Sequence, residues 1–138
     1  MAYDTKWEPE GIYRHHSGFV TGREMIESAK QTQSDPRFDE MRYVIDDFTG
    51  ITGHDLSIDA FTYLAASNYG AHASNPNCRL VYVTTDTNLV KIIRGTLMSP
   101  DLVSYEVEVK PTLSEARDWL DSLPRKHEIS SVMGFIPW

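Results

Sequence analysis

The chain has 138 residues, enough for one domain with its own core and no need of disulfides or metal to hold it together. Apolar residues make up 41% and charged residues 24%, an ordinary globular balance that excludes a disordered chain. A net charge of -7 excludes long-range attraction to nucleic acid or anionic lipid, and the single cysteine, Cys78, excludes an internal disulfide.

Tyr3 to Gly18 reads as two extended runs around Glu8-Pro9-Glu10-Gly11, where Pro and Gly supply the turn of a β-hairpin. In its second arm Ile12, Arg14 and His16 share one face while Tyr13, His15 and Ser17 share the other. The adjacent histidines therefore cannot chelate one ion. Thr21 and Glu24 form a capping box and Val20 and Met25 a hydrophobic staple, which together predict a first helix ending before Pro36.

The central strand begins near Met41. Met41, Tyr43 and Ile45 alternate with Arg42, Val44 and Phe48, so neither face is cleanly polar and the strand is expected inside a sheet covered on both sides. Asp46 and Asp47 are expected to close it, with Gly50 and Gly53 punctuating the loop that follows. Ser57 is placed to cap a second helix with Ile58, Phe61, Leu64, Ala65 and Tyr69 as its inner stripe and Gly70 at its end.

Cys78 to Thr85 is rich in β-branched residues and predicts the next strand. Thr85, Asp86 or Thr87 can cap a third helix, in which Leu89, Val90, Ile92, Ile93 and Leu97 fill an arc of roughly 160°. Beyond Pro100, Ser104 to Lys110 alternates strictly and predicts an edge strand with one wet face. Thr112 and Glu115 open a last helix with Leu113, Ala116, Leu120 and Leu123 inside, Trp119 beside them and Pro124 at its end.

The order of elements is ββαβαβαβα, which predicts an α/β fold: a mixed, mostly parallel sheet with an N-terminal hairpin and crossover helices. Residues 1–123 are read as one domain. The tail, 124–138, ends VMGFIPW, too apolar to stay in water, and is expected to pack on the domain or on a second subunit of a homodimer. No apolar run reaches the roughly 20 residues that span a bilayer, and MAYDTKWEPEG lacks a signal peptide's apolar core, so the expected location is the cytoplasm.

In open α/β sheets ligands are met past the carboxyl ends of the strands. That rule gathers Asp46, Asp47, His54, Asp55, Ser57, Thr84, Thr85 and Asp86 as a candidate rim for a partner or ligand. Acids and hydroxyls at these positions also serve as caps and turn formers. No Gly-x-Ser-x-Gly elbow, phosphate-cradling glycine loop, His-Glu-x-x-His or paired-cysteine spacing accompanies them. No catalytic residue, metal or cofactor is assigned, and an enzyme is the less favoured class.

Gly18-Phe19-Val20-Thr21-Gly22-Arg23-Glu24, Arg42-Tyr43-Val44-Ile45-Asp46-Asp47-Phe48 and Ser114-Glu115-Ala116-Arg117-Asp118-Trp119-Leu120 together resemble the STAS-type domains of anti-sigma-factor antagonists, and more closely the SpoIIAA-like bacterial family. The similarity runs over most of Tyr3 to Leu123. It implies a STAS/SpoIIAA-like fold and a non-catalytic interaction or regulatory module with a protein partner. The STAS signature opens the second helix with Asp-Ser-Ser-Gly, in which the first serine is phosphorylated by a partner kinase. Here Leu56 occupies that position, so only Ser57, at the second serine, offers an acceptor hydroxyl, and Asp55 and Asp59 beside it would repel the added charge. The same resemblance leaves an alternative open: a binder of an apolar small molecule or a membrane surface through Leu89, Val90, Ile93 and Leu97 of the third helix.

Overall fold

The computed structural model describes residues 3–72, 75, 77–99 and 105–122. The sequence's expectations for Leu123, Pro124, the tail 124–138 and residues 100–104 lie outside them. Tyr3–Trp7 (β1) and Gly11–Val20 (β2) form the N-terminal hairpin, with the Glu8 N–H donating to the Gly11 carbonyl at 2.8 Å across the turn. Gly11 is needed there, because a Cβ would stand 2.5 Å from the Tyr43 carbonyl oxygen.

Gly22–Ser34 (α1) carries the chain over the sheet to Tyr43–His54 (β3), by way of a 3-10 turn at Pro36–Glu40. Ile58–His72 (α2), Arg79–Val83 (β4), Thr87–Gly95 (α3), Glu106–Lys110 (β5) and Leu113–Ser122 (α4) complete the order. The five strands lie in sequence order, antiparallel between β1 and β2 and parallel from β2 through β5. This is the mixed sheet that the alternation of helix and strand implies.

Parallel neighbours in sequence order, joined by right-handed crossovers, put the connecting helices on one face. The core divides accordingly. Ile12, Val44, Phe48, Leu80 and Tyr82 meet Met25 of α1, Phe61 and Leu64 of α2, and Leu89 and Ile93 of α3. On the other face Ile45, Val81 and Val83 meet Ala116 of α4, with Leu113, Trp119 and Leu120 packed against them.

Local signals set the helix starts. The Thr21 hydroxyl accepts the Glu24 N–H at 3.1 Å and Asp86 accepts the Leu89 N–H at 3.0 Å, while Thr112 accepts the Glu115 N–H at 3.1 Å.

Two expectations are corrected. The acids do not close the central strand: β3 runs on to His54, because Gly50, Ile51, Gly53 and His54 pair with Ser17 to Val20 of β2 through two register shifts, with Gly18 at φ 67° beside one of them. The inner stripe of α2 is Phe61, Leu64, Ala65 and Asn68, whereas Ile58 and Tyr69 are 63% and 73% exposed. With Phe61 at the centre of the buried face, Ile58 and Tyr69 lie about 60° and 80° round the helix, and the packing turns them outward.

Candidate functional site

The carboxyl ends of β3 and β4 and the loops after them form the rim, and most of the expected residues there have a defined partner. The His54 Nδ1 accepts the Leu56 N–H at 3.0 Å, which fixes the ring proton on Nε2, and Nε2 lies 3.4 Å from Asp86 Oδ2. Asp55 accepts the Gly22 N–H at 2.8 Å, so a carboxylate from the β3–α2 loop sits on the first turn of α1. Ser57 accepts the Ala60 N–H at 3.2 Å as the cap of α2. Thr84 accepts the Asp86 N–H at 3.1 Å, and Asp86, capping α3, is held below the usual carboxylate range first by the Leu89 N–H and then by His54. Thr85 is exposed beside them.

His54, Asp55, Ser57, Thr84, Thr85 and Asp86 therefore share one rim, where Ser57 and Asp86 cap helices, Asp55 holds the first turn of α1, His54 and Thr84 hold turns, and Thr85 is exposed. A serine, a histidine and an aspartate in this neighbourhood invite comparison with a hydrolase. With one ring nitrogen on Leu56 and the other facing Asp86, His54 has none left to take a proton from Ser57. Among the described residues no group of three His, Cys, Asp or Glu side chains could hold a metal ion.

Asp46 and Asp47 are not on that rim. Successive residues of β3 point to opposite faces, and both acids are buried. Asp46 lies under the helices, where its Oδ1 takes Arg14 Nη1 at 3.0 Å and His16 Nε2 at 2.8 Å. The same guanidinium donates to the Thr32 hydroxyl and to the Ser28 carbonyl of α1. Burial would push the Asp46 carboxyl up, but Arg14 and His16 outweigh it and hold the group below its ordinary value. His16 stacks on Phe48 with ring centroids 4.5 Å apart. Asp47 lies on the α4 face and accepts the Tyr13 hydroxyl at 2.6 Å and the Thr49 N–H at 2.9 Å.

The apolar arc of α3 packs inward in this structure. Leu89 and Ile93 are 0% exposed and Leu97 3%, with Val90 and Ile92 partly buried against the same core, so the arc is core packing and offers no outward apolar face. The exposed apolar side chains are elsewhere. Among the described residues the large ones are Phe19 at 56%, Ile58 at 63%, Tyr63 at 49% and Tyr69 at 73%. Three of the four stand on α2, immediately after the rim loop. Sequence reasoning missed this surface because Ile58 and Tyr69 fit the inner stripe. The available signal was crowding: α2 has more apolar positions than one buried face accommodates.

The fold is that of known proteins. The chain is similar to the anti-sigma factor antagonist SpoIIAA in its unphosphorylated form, with a TM-score of 0.61 and 10% identity, covering 88% of this chain and 100% of that one. It is also similar to an uncharacterised protein of the DUF3478 family with a SpoIIAA-like fold from Shewanella loihica PV-4, with a TM-score of 0.51 and 13% identity, covering 86% of this chain and 92% of that one. At these identities the likeness establishes a SpoIIAA-like α/β fold. No family model and no curated protein matches the chain. No helix among the described residues is long and apolar enough to cross a membrane.

Proposed function

We propose that this protein is a non-catalytic STAS-like interaction module of the cytoplasm, and that it meets a protein partner through the outer face of α2 and the rim loop from Asp55 to Ser57. The observation that carries the reading is the exposure of Ile58 and Tyr69, which lie about 20° apart around the axis on one side of α2. Exposed large apolar side chains gathered on one element mark an interaction surface. Aromatic residues are the side chains that most often supply binding energy at such surfaces. Support also comes from the rim, whose polar groups are occupied with capping the helices and so present a fixed shape. SpoIIAA, which shares the fold, is named as an antagonist of an anti-sigma factor. Ser57 acts in this reading as the cap of α2.

The test is co-isolation of the full chain from its own cells, comparing wild type, Ile58→Asp with Tyr69→Asp, and Glu115→Lys on α4 as a surface control. A partner retained in fixed stoichiometry by wild type and by the control, and lost by the double variant while its thermal midpoint holds, is the expected result. Equal retention by all three would remove α2 from the interface.

A further inference from the structure

Behind α2 the packing is not wholly apolar. A narrow cavity of about 30 Å³ lies between α1, α2 and the sheet, with Val44 and Leu80 on its wall beside Arg14, Thr32, Asp46 and Tyr105. Gln33 and Asn68 also border it, and they join the two helices: the Gln33 amide donates to Asn68 Oδ1 at 3.0 Å and accepts the Ser67 hydroxyl at 2.8 Å.

Two polar atoms on these wall residues, Arg14 Nε and Tyr105 Oη, have no hydrogen-bond partner among the described residues. Arg14 and Tyr105 are each only 3% exposed. A guanidinium N–H can only donate and a phenol hydroxyl donates readily, so the two atoms call for an oxygen acceptor. The charge of Arg14 is already met by Asp46 at 3.0 Å, so nothing in the cavity asks for an ion. Its volume holds one or two waters at roughly 10–15 Å³ each and is too small for an organic ligand, while Arg14, Thr32, Asp46 and Tyr105, set in an otherwise largely apolar wall, give such water polar partners.

We infer that this cavity is an internal hydration site, in which one or two water molecules accept from Tyr105 Oη and Arg14 Nε and tie the start of the edge strand β5 to the buried ion pair of β2 and β3. Water fits because it supplies the acceptor to both donors and can donate its own O–H groups in hydrogen bonds to the Thr32 and Asp46 oxygens on the same wall. The floor beneath α2 is then solvated.

The experiment is a high-resolution crystal structure of the full chain, alone and under xenon pressure, for wild type and for Tyr105→Phe. In wild type the expected result is water density within hydrogen-bond distance of both Tyr105 Oη and Arg14 Nε, with no xenon in the cavity. In Tyr105→Phe that water should be lost, or shifted onto Arg14 alone. Xenon in the wild-type cavity, a protein atom placed directly on both donors, or an organic molecule in their place would overturn the inference. In solution the Arg14 Nε–H resonance should cross-relax with a long-lived water, and its rapid exchange with bulk solvent would count equally against the site.

Discussion

At the scale of single residues, the most consequential group is Asp46, which is 5% exposed in the middle of the helix-covered face and carries Arg14 and His16 on one carboxylate oxygen. A buried pair adds little over a well-packed apolar replacement, but removal of one member strands the other. Asp46→Ala should therefore destabilise the protein by about 3–5 kcal/mol in urea unfolding. The double change Asp46→Leu with Arg14→Met, which removes both charges, should cost less than Asp46→Ala alone. If the single variant costs no more than an exposed substitution, the charges are not engaged as described. The sequence placed both acids at the end of the strand, on the rim, whereas they lie within it on opposite faces. What the sequence could not reveal is the partner, because Arg14 and His16 lie 32 and 30 positions away and are joined to Asp46 only by the register of β2 on β3. Adjacent acids after an apolar run were legible only as a strand end.

At the scale of elements, what was legible is what is local. The caps Thr21, Asp86 and Thr112 each act within three residues, so their chemistry is visible without knowledge of the fold. The turn of α2 about its axis is not local. A Cβ on Gly22 of α1 would lie 3.1 Å from the Ala60 Cβ, and Ser67 bonds Gln33, so α1 decides which side of α2 faces in and leaves Ile58 and Tyr69 outside. The rim shows both cases together: Ser57 and Asp86 were readable as caps, whereas the reach of Asp55 to Gly22 and of His54 to Asp86 required the sheet. Because Asp86 both caps α3 and faces His54, Asp86→Ala should cost about 1 kcal/mol, and at most about 2. Native-state hydrogen exchange should show the Leu89 amide, which loses its acceptor, accelerating more than amides of β4. Uniform acceleration would mean that the cap supports the whole domain and not α3 in particular.

At the scale of the whole molecule, both faces of the sheet hold ionisable groups in the same sense. On the helix-covered face this is Asp46; on the α4 face Asp47 is held low by Tyr13 and Thr49 against the effect of burial. Glu8 in the hairpin turn accepts both outer nitrogens of Arg117, at 3.0 and 2.7 Å, and is lowered chiefly by them. In the unfolded chain these carboxyls take up protons near the ordinary value of about 4, while in the folded chain they resist to lower pH. Their stabilisation is therefore complete above about 4 and is lost as pH falls through the depressed folded values. The phenols act at the other end. Burial raises Tyr13, Tyr82 and Tyr105, and raises Tyr43 to about 12 with the help of Glu8. Unfolded phenols release protons near 10, so this contribution is complete below about 10 and disappears as pH climbs through the raised folded values. The urea midpoint should accordingly fall at both ends of the pH range, below about 4 and above about 10. Part of the tyrosinate absorbance should then appear only together with the loss of helical circular dichroism. If all of it develops while the helical signal is intact, the phenols on the two faces are not sealed by the packing that places them, and the alkaline limb of the profile has another source.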